Sequence, residues 1–407
     1  AMDRKERVEQ LLIANGQEHL LAHIRELDGA EQDRFFSELE RVDWTIFSDE
    51  ARVRPPEGEI APIEGLKKEE IASRREEFER VGMQAVHDGK VAALMLAGGQ
   101  GTRLGFDGPK GTLDIGLTRP LYIYECLIRN LLEVCSACGA YVPLYIMTSE
   151  KTDRMTRAFL KEHGCFGYPE EKVRFFLQDM APATDFEGRL LLEGRGALAL
   201  SPNGNGGCFS SLRRAGLMDE AKQSGVEWIN VFAVDNVLQR IADPVFVGAT
   251  LLSGVNCGAK FVKKCAPEER VGVLCRRGSL PDVVEYYDLP AAMANARDER
   301  GELVYSFGVT LNYLFRLKAI EQTSRAAIPV HRAKKKIPYW NGSELIRPEK
   351  ENGYKYETLV VDWVRLMKSC LPFEAVRERE FAPIKNAEGV DSVQSARELL
   401  KYNGVKL

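Results

Sequence analysis

A glycine-rich loop, LAGGQGTRLGFDGPKG, runs from Leu96 to Gly111 and carries two cations, Arg103 and Lys110. Glycines let a backbone approach phosphate oxygens, and amide N–H groups beside two cations suit a triphosphate better than a bare structural turn. The loop follows directly on an apolar run, VAALML. A strand feeding such a turn places its N–H groups at the carboxyl edge of a sheet, where open α/β folds bind ligands. Neither common nucleotide fingerprint fits. In G-x-G-x-x-G terms, Leu104 stands where the third glycine belongs and Gly105 comes one late, which disfavours an NAD-linked dehydrogenase. The P-loop order is also absent, because Lys110 follows Pro109.

Further along, Asp235 ends the run WINVFAVD. A carboxylate at that place can hold Mg2+ together with phosphates, or can simply form a turn before Asn236. Asp243, just before Pro244, reads as a helix N-cap. Asn203-Gly-Asn205-Gly-Gly is a turn in any reading, and the basic run Lys334 to Lys336 reads as a solvated turn.

Together these segments resemble the eukaryotic-type UDP-sugar pyrophosphorylases. The loop matches that family's L-x-G-G-x-G-T-R-L-G followed by P-K, and SPNGNGG, VFAVDN, VVEY, HRAKKKIPYW and FAPIKNAEG follow in the family's order. The resemblance is strongest to the branch that uses N-acetylglucosamine 1-phosphate. It implies in-line attack of a sugar 1-phosphate oxygen on the α-phosphorus of UTP, with pyrophosphate leaving. It assigns Arg103, Lys110 and Lys385 to the phosphates and Asp235 to Mg2+. Gly98, Gly99, Gly204 and Gln178 go to the nucleotide, with Gln178 reading uracil through its amide. Asn205, Glu285 and Asn312 go to the sugar. It also implies that a closing C-terminal domain delivers Lys385. Two stretches depart from the pattern. Where the N-acetylglucosamine branch has N-A-G-N, this chain has Ser306-Phe307-Gly308-Val309, and CRRGSLPD differs near the acetamido position. Glucose 1-phosphate or a broad range of sugar 1-phosphates is the alternative substrate reading. A non-catalytic nucleotide-sugar binder is a further one, disfavoured because all the charged site residues are present.

These residues need a scaffold, and the pattern supplies one. From Val91 onward apolar runs alternate with amphipathic stretches (RPLYIYECLIRNLLEVC, then VPLYIMTS, KTDRMTRAFLKEHG and VRFFLQ), as in an open, mostly parallel Rossmann-like α/β sheet. NCGAKFVKKC, RVGVLCRRG, DVVEYYDL and ELVYSFGVTL read as an antiparallel extension. Before Val91, LLIANGQEHLLAHIRE and EEIASRREEFERVGMQAVHDG read as helices, joined by the Pro- and Gly-bearing ARVRPPEGEIAPIEG. The expected division is an N-terminal helical segment (1–88), a central nucleotidyltransferase domain (89–330) and a small C-terminal domain (331–407).

With 407 residues, 44% hydrophobic and 29% charged, the chain can bury a large core. A net charge of −4 argues against general nucleic-acid or anionic-membrane binding. No apolar run approaches the roughly 18 residues of a membrane span. AMDRKERVEQ lacks a signal core, and Ala1 before Met2 reads as an expression scar. Nine cysteines with a single CxxC, Cys135 to Cys138, suit reduced thiols in the cytoplasm. His19 and His23, four apart, have no third ligand nearby in sequence. The expected partners are UTP, a sugar 1-phosphate and pyrophosphate, in a monomer or weak homo-oligomer.

Overall fold

The computed structural model describes residues 2–48 and 56–407. Ala1 and residues 49–55, which include the start of the Pro- and Gly-bearing connection, lie outside the described residues. The chain divides into two compact units. One comprises Ala1–Pro55, Asp179–Gly207 and Ser324–Val360; the other comprises Pro56–Gln178, Cys208–Thr323 and Val361–Leu407. This partition cuts across the expected segments. Residues 56–88 group with the central sheet, and the last 77-odd residues are shared out at Val360.

The larger unit is built on a ten-stranded sheet. Its strands are β1 (Ile60–Ala61), β2 (Val91–Leu96), β3 (Leu144–Thr148), β4 (Val173–Leu177), β5 (Trp228–Ala233), β6 (Cys257–Lys263), β7 (Val273–Arg277), β8 (Leu280–Val284), β9 (Phe307–Arg316) and β10 (Leu371–Glu374). The main path runs β1-β7-β9-β5-β2-β3-β4; β6 pairs with β9 and β10, and β8 with β7. Strands β5, β2, β3 and β4 are mutually parallel. Every residue of β2 and β3 is buried, which is why both read as unbroken apolar runs. β9 runs antiparallel to β5 and β6, and β8 antiparallel to β7, so the expected antiparallel extension is present.

Helices α1 (Arg75–His87), α2 (Ile123–Cys138), α3 (Asp153–Glu162) and α4 (Pro244–Ser253) belong to the same unit. α1 lies against α4 with backbone nearly touching backbone. A Cβ on Gly82 would collide with the Pro244 carbonyl, and one on Gly248 with the Phe78 carbonyl. That glycine-on-glycine crossing explains why α1 groups with the sheet rather than with the preceding helices. Cys135 and Cys138 are both buried with α2, as ordinary core side chains.

In the smaller unit, the single helical stretch expected over LLIANGQEHLLAHIRE breaks at Asn15-Gly16 into Arg4–Ala14 and His19–Arg25, followed by Gly29–Arg41. Leu12, Leu20, Ile24, Phe35 and Leu39 from these helices form one core with Leu190, Leu192 and Leu198. A three-stranded sheet orders His331–Lys335, Gly353–Glu357 and Thr184–Asp185. Lys334 and Lys335 are exposed strand residues, not a turn.

Candidate active site

The four parallel strands deliver their chemistry at one end. Leu96 of β2 is level with Ala233 of β5, so Gly98 and Asp235 emerge side by side. Leu96 is also level with Met147 of β3, and Thr148 with Leu177 of β4. Ser149 and Gln178 therefore emerge beside them. The loop after β2 is held by its own backbone: Lys110 N–H donates to the Gly99 carbonyl at 3.2 Å and Gly101 N–H to the Gly108 carbonyl at 3.0 Å.

Lys110 and Asp235, 125 positions apart, meet at this end, with Nζ donating to Oδ1 at 2.7 Å. The Asp235 side chain is about a third exposed and that of Lys110 largely covered. Arg103 is exposed on the Thr102–Leu104 turn. A Cβ on Gly99 would stand in open space. Gln178, largely buried, places Oε1 where a Cβ on Gly98 would come within 2.8 Å. Its own N–H donates to the Thr148 carbonyl at 2.7 Å. Ser149, which sequence reading did not single out, donates its hydroxyl to the Gly98 carbonyl at 3.0 Å and fixes the first turn of the loop. Its place at the end of VPLYIMTS is the signal for it.

The segment carrying Lys385 is bound to the same strand end. Ile384 N–H donates to the Asp235 carbonyl at 2.8 Å. Asn236 clamps it from both sides, donating from Nδ2 to the Glu380 carbonyl at 2.7 Å and accepting the Ala382 N–H at 2.9 Å. Lys385 is exposed, and its own N–H donates to the Asp391 carbonyl at 2.7 Å. Lys385 thus sits in the same unit as Asp235 through backbone pairing, which corrects the expectation of a separately closing domain.

Beneath this clamp lies an ion cluster that sequence reading missed. Lys260, only 1% exposed, donates to Asp243 at 2.9 Å and to Glu380 at 2.6 Å. Burial alone would lower the Lys260 pKa, but the Asp243 and Glu380 carboxylates outweigh it, and the ammonium titrates above its ordinary value. Burial works to raise Asp243, yet Lys260 and Arg240 hold it below the ordinary carboxylate range. Asp243 does cap α4, as expected, through the Val245 N–H at 3.2 Å. The lone lysine inside the apolar run CGAKFV was the available signal for the cluster.

β9 reaches past the end of β5, because Asn312 is level with Phe232. Residues 307–311 therefore project toward the end where Asp235 emerges. Glu285 lies at the end of β8, with one carboxylate oxygen 3.4 Å from where a Cβ on Gly272 would stand; Val283 and Val309 flank the same point. Asn312 is different. It is fully buried, accepts from Asn230 Nδ2 at 2.9 Å and donates to the Arg240 carbonyl at 3.1 Å. Its amide is spent inside the protein, so the expected sugar contact is corrected to a core polar bridge between β9 and β5.

Gly204 and Asn205 lie in the smaller unit. Gly204 has φ +85°, and a Cβ there would strike the Thr358 carbonyl. Asn205 accepts the Val360 N–H at 2.9 Å. Close packing of the SPNGNGG turn on residues 358–360 accounts for both residue types.

Among the described residues, no three His, Cys, Asp or Glu side chains gather as a metal cage. The carboxylate donor at the mouth is Asp235, a set suited to Mg2+, which takes one or two carboxylates and fills its shell with phosphate and water oxygens.

The family model for UTP–glucose-1-phosphate uridylyltransferase matches residues 40–405. The human UDP-N-acetylhexosamine pyrophosphorylase-like protein 1 is 37% identical, over 95% of this chain and 82% of its own length. The Saccharomyces cerevisiae UDP-N-acetylglucosamine pyrophosphorylase is 32% identical, over 93% of this chain and 86% of its own. The crystal structure of the Trypanosoma brucei uridine diphosphate N-acetylglucosamine pyrophosphorylase superposes with a TM-score of 0.80 at 27% identity, covering 98% of this chain and 85% of that one.

Proposed function

We propose, from the premise that the chain belongs to the UTP–glucose-1-phosphate uridylyltransferase family, that it transfers the uridylyl group of UTP to N-acetylglucosamine 1-phosphate and releases pyrophosphate. The observation that carries this reading is the 2.7 Å meeting of Lys110 with Asp235 at the shared end of β2 and β5, over the glycine loop. Two polyanions must approach each other, so charge neutralisation comes first. The sugar phosphate oxygen attacks the α-phosphorus as the bond to the leaving pyrophosphate breaks; no nucleophilic side chain is required. Arg103 and Lys110 face the triphosphate and the pyrophosphate. Lys385 adds charge from the segment clamped by Asn236. Gln178, against Gly98, offers the amide that reads the pyrimidine edge, and Glu285 faces the sugar hydroxyls. Asp235 would hold Mg2+, which would supply additional positive charge against the phosphates when bound.

Glucose 1-phosphate is the second reading. It is supported by the description of the family and by Val309, an apolar residue beside Glu285. All nine cysteines carry free thiols, which supports a reducing compartment such as the cytoplasm. No helix among the described residues is long and apolar enough to cross a membrane. The deciding experiment measures pyrophosphate release from UTP with a panel of sugar 1-phosphates, with and without Mg2+. Release with N-acetylglucosamine 1-phosphate above all others is expected. Binding of UDP-sugar with no pyrophosphate exchange would overturn the proposal.

A further inference from the structure

At the opposite end of the sheet from the glycine loop, two cysteines sit on neighbouring strands. β6 and β10 pair in parallel, and their first rung joins Gly258 to Leu371. Cys257 and Cys370 stand one residue before that rung, on the same face. The chain just ahead of them is pinned as well: Asn256 N–H donates to the Ser369 hydroxyl at 3.0 Å, and Asn256 Nδ2 to the Met367 carbonyl at 3.1 Å. Adjacent strands lie about 4.8 Å apart, inside the range of Cα separations that a disulfide spans. The parallel register sets Cys257 directly beside Cys370 across the two strands. Cys257 is buried and Cys370 is partly exposed. Burial and the neighbouring Cys370 hold the Cys257 thiol well above its ordinary range, so the accessible Cys370 meets an oxidant first. None of the proposed catalytic groups lies here.

We propose that Cys257 and Cys370 form an oxidative modification site, closing to a disulfide in the presence of a peroxide. The Cys370 sulfur attacks one peroxide oxygen; the O–O bond breaks, water leaves, and Cys370 becomes a sulfenic acid. The Cys257 sulfur then attacks the Cys370 sulfur. The S–O bond breaks, a second water carries off the remaining thiol proton, and the S–S bond forms. Two thiols and one peroxide thus yield one disulfide and two waters. The link welds β10 to β6 and restrains the chain that runs on from β10 through Glu380 to Lys385, so it strengthens the fold without blocking the glycine loop.

The test uses the full chain treated with hydrogen peroxide. A non-reducing peptide map should show the Cys257 and Cys370 peptides joined, lighter by the two thiol hydrogens. The melting temperature should rise by about 5 °C and return to its starting value with dithiothreitol. The rise should vanish in Cys370→Ser, and in Cys257→Ala if that buried replacement folds. Oxidation that stops at Cys370 without a linked peptide overturns the proposal, as does a melting shift that persists in Cys370→Ser.

Discussion

Single side chains divide into those left open at the strand ends and those spent on the fold. Arg103→Ala and Asp235→Ala should each cut turnover by about 100-fold or more, measured as pyrophosphate release, while melting within a few degrees of the parent. Near-parental turnover in both would remove them from the phosphate site. Asn312→Ala should behave in the reverse way. It takes one partner each from Asn230 Nδ2 and the Arg240 carbonyl in the core, so a loss of about 1–3 kcal/mol of stability by denaturant unfolding is expected, with no selective rise in KM for the sugar phosphate. Lys110 and Asp235 were legible as separate candidates, because each ends an apolar run or sits in a motif. Their 2.7 Å contact was not legible, since 125 residues separate them. Asn312 misled for a related reason: a polar residue inside a strand carries no mark of which face it occupies.

Elements supply the rigidity these side chains need, and two of them make sharp predictions. The Asp243–Lys260–Glu380 cluster ties α4, β6 and the Lys385 segment together. Lys260→Met leaves two carboxylates buried without their cation and should cost about 3–5 kcal/mol in a denaturant titration at neutral pH. The deficit should shrink in acid, where those carboxylates take up protons. In the parent the signs run oppositely for the two partners. Asp243, held low, contributes stability above the ordinary carboxylate range that is lost as pH falls through its folded pKa. Lys260, held high, contributes stability that is lost as pH rises through its own. In the helix His19–Arg25, His23 accepts the Gly196 N–H at 3.2 Å and meets the edge of Phe35. Burial lowers its pKa below 6.5. The unfolded chain then takes up a proton before the folded one does, so stability should fall as pH drops below about 6.5. Melting curves from pH 7.5 to 5.5 should show that slope in the parent and a flatter one in His23→Gln. Strands and helices themselves were readable from periodicity, because β2 and β3 are buried on both faces and α2, from Arg129 onward, on one. The split at Asn15-Gly16 and the lysine cluster were harder to see, since one depends on a local turn and the other on partners from three distant segments.

For the molecule as a whole, neither unit is a continuous stretch of chain. A protein ending at Val330 keeps every strand up to β9 yet loses β10, the Asn236 clamp and the strands His331–Lys335 and Gly353–Glu357. It should therefore fail to give a cooperative thermal transition by circular dichroism. If residues 1–330 melted like the parent, the partition at Val360 would be refuted and the simpler three-segment division restored. The sequence by itself determined the class of sheet, the family and the cations of the glycine loop. Those are written in short-range patterns: buried runs, helical spacing, and a loop whose glycines and charges adjoin one another. Only the tertiary structure decided that Asp235 meets Lys110, that Asn236 binds the Lys385 segment to the sheet, that Asn312 is core, and that the domain borders fall where they do. Each of these rests on contacts between residues far apart in the chain. Their free energy comes from burial and pairing in three dimensions, and a linear pattern does not encode which partner will be near.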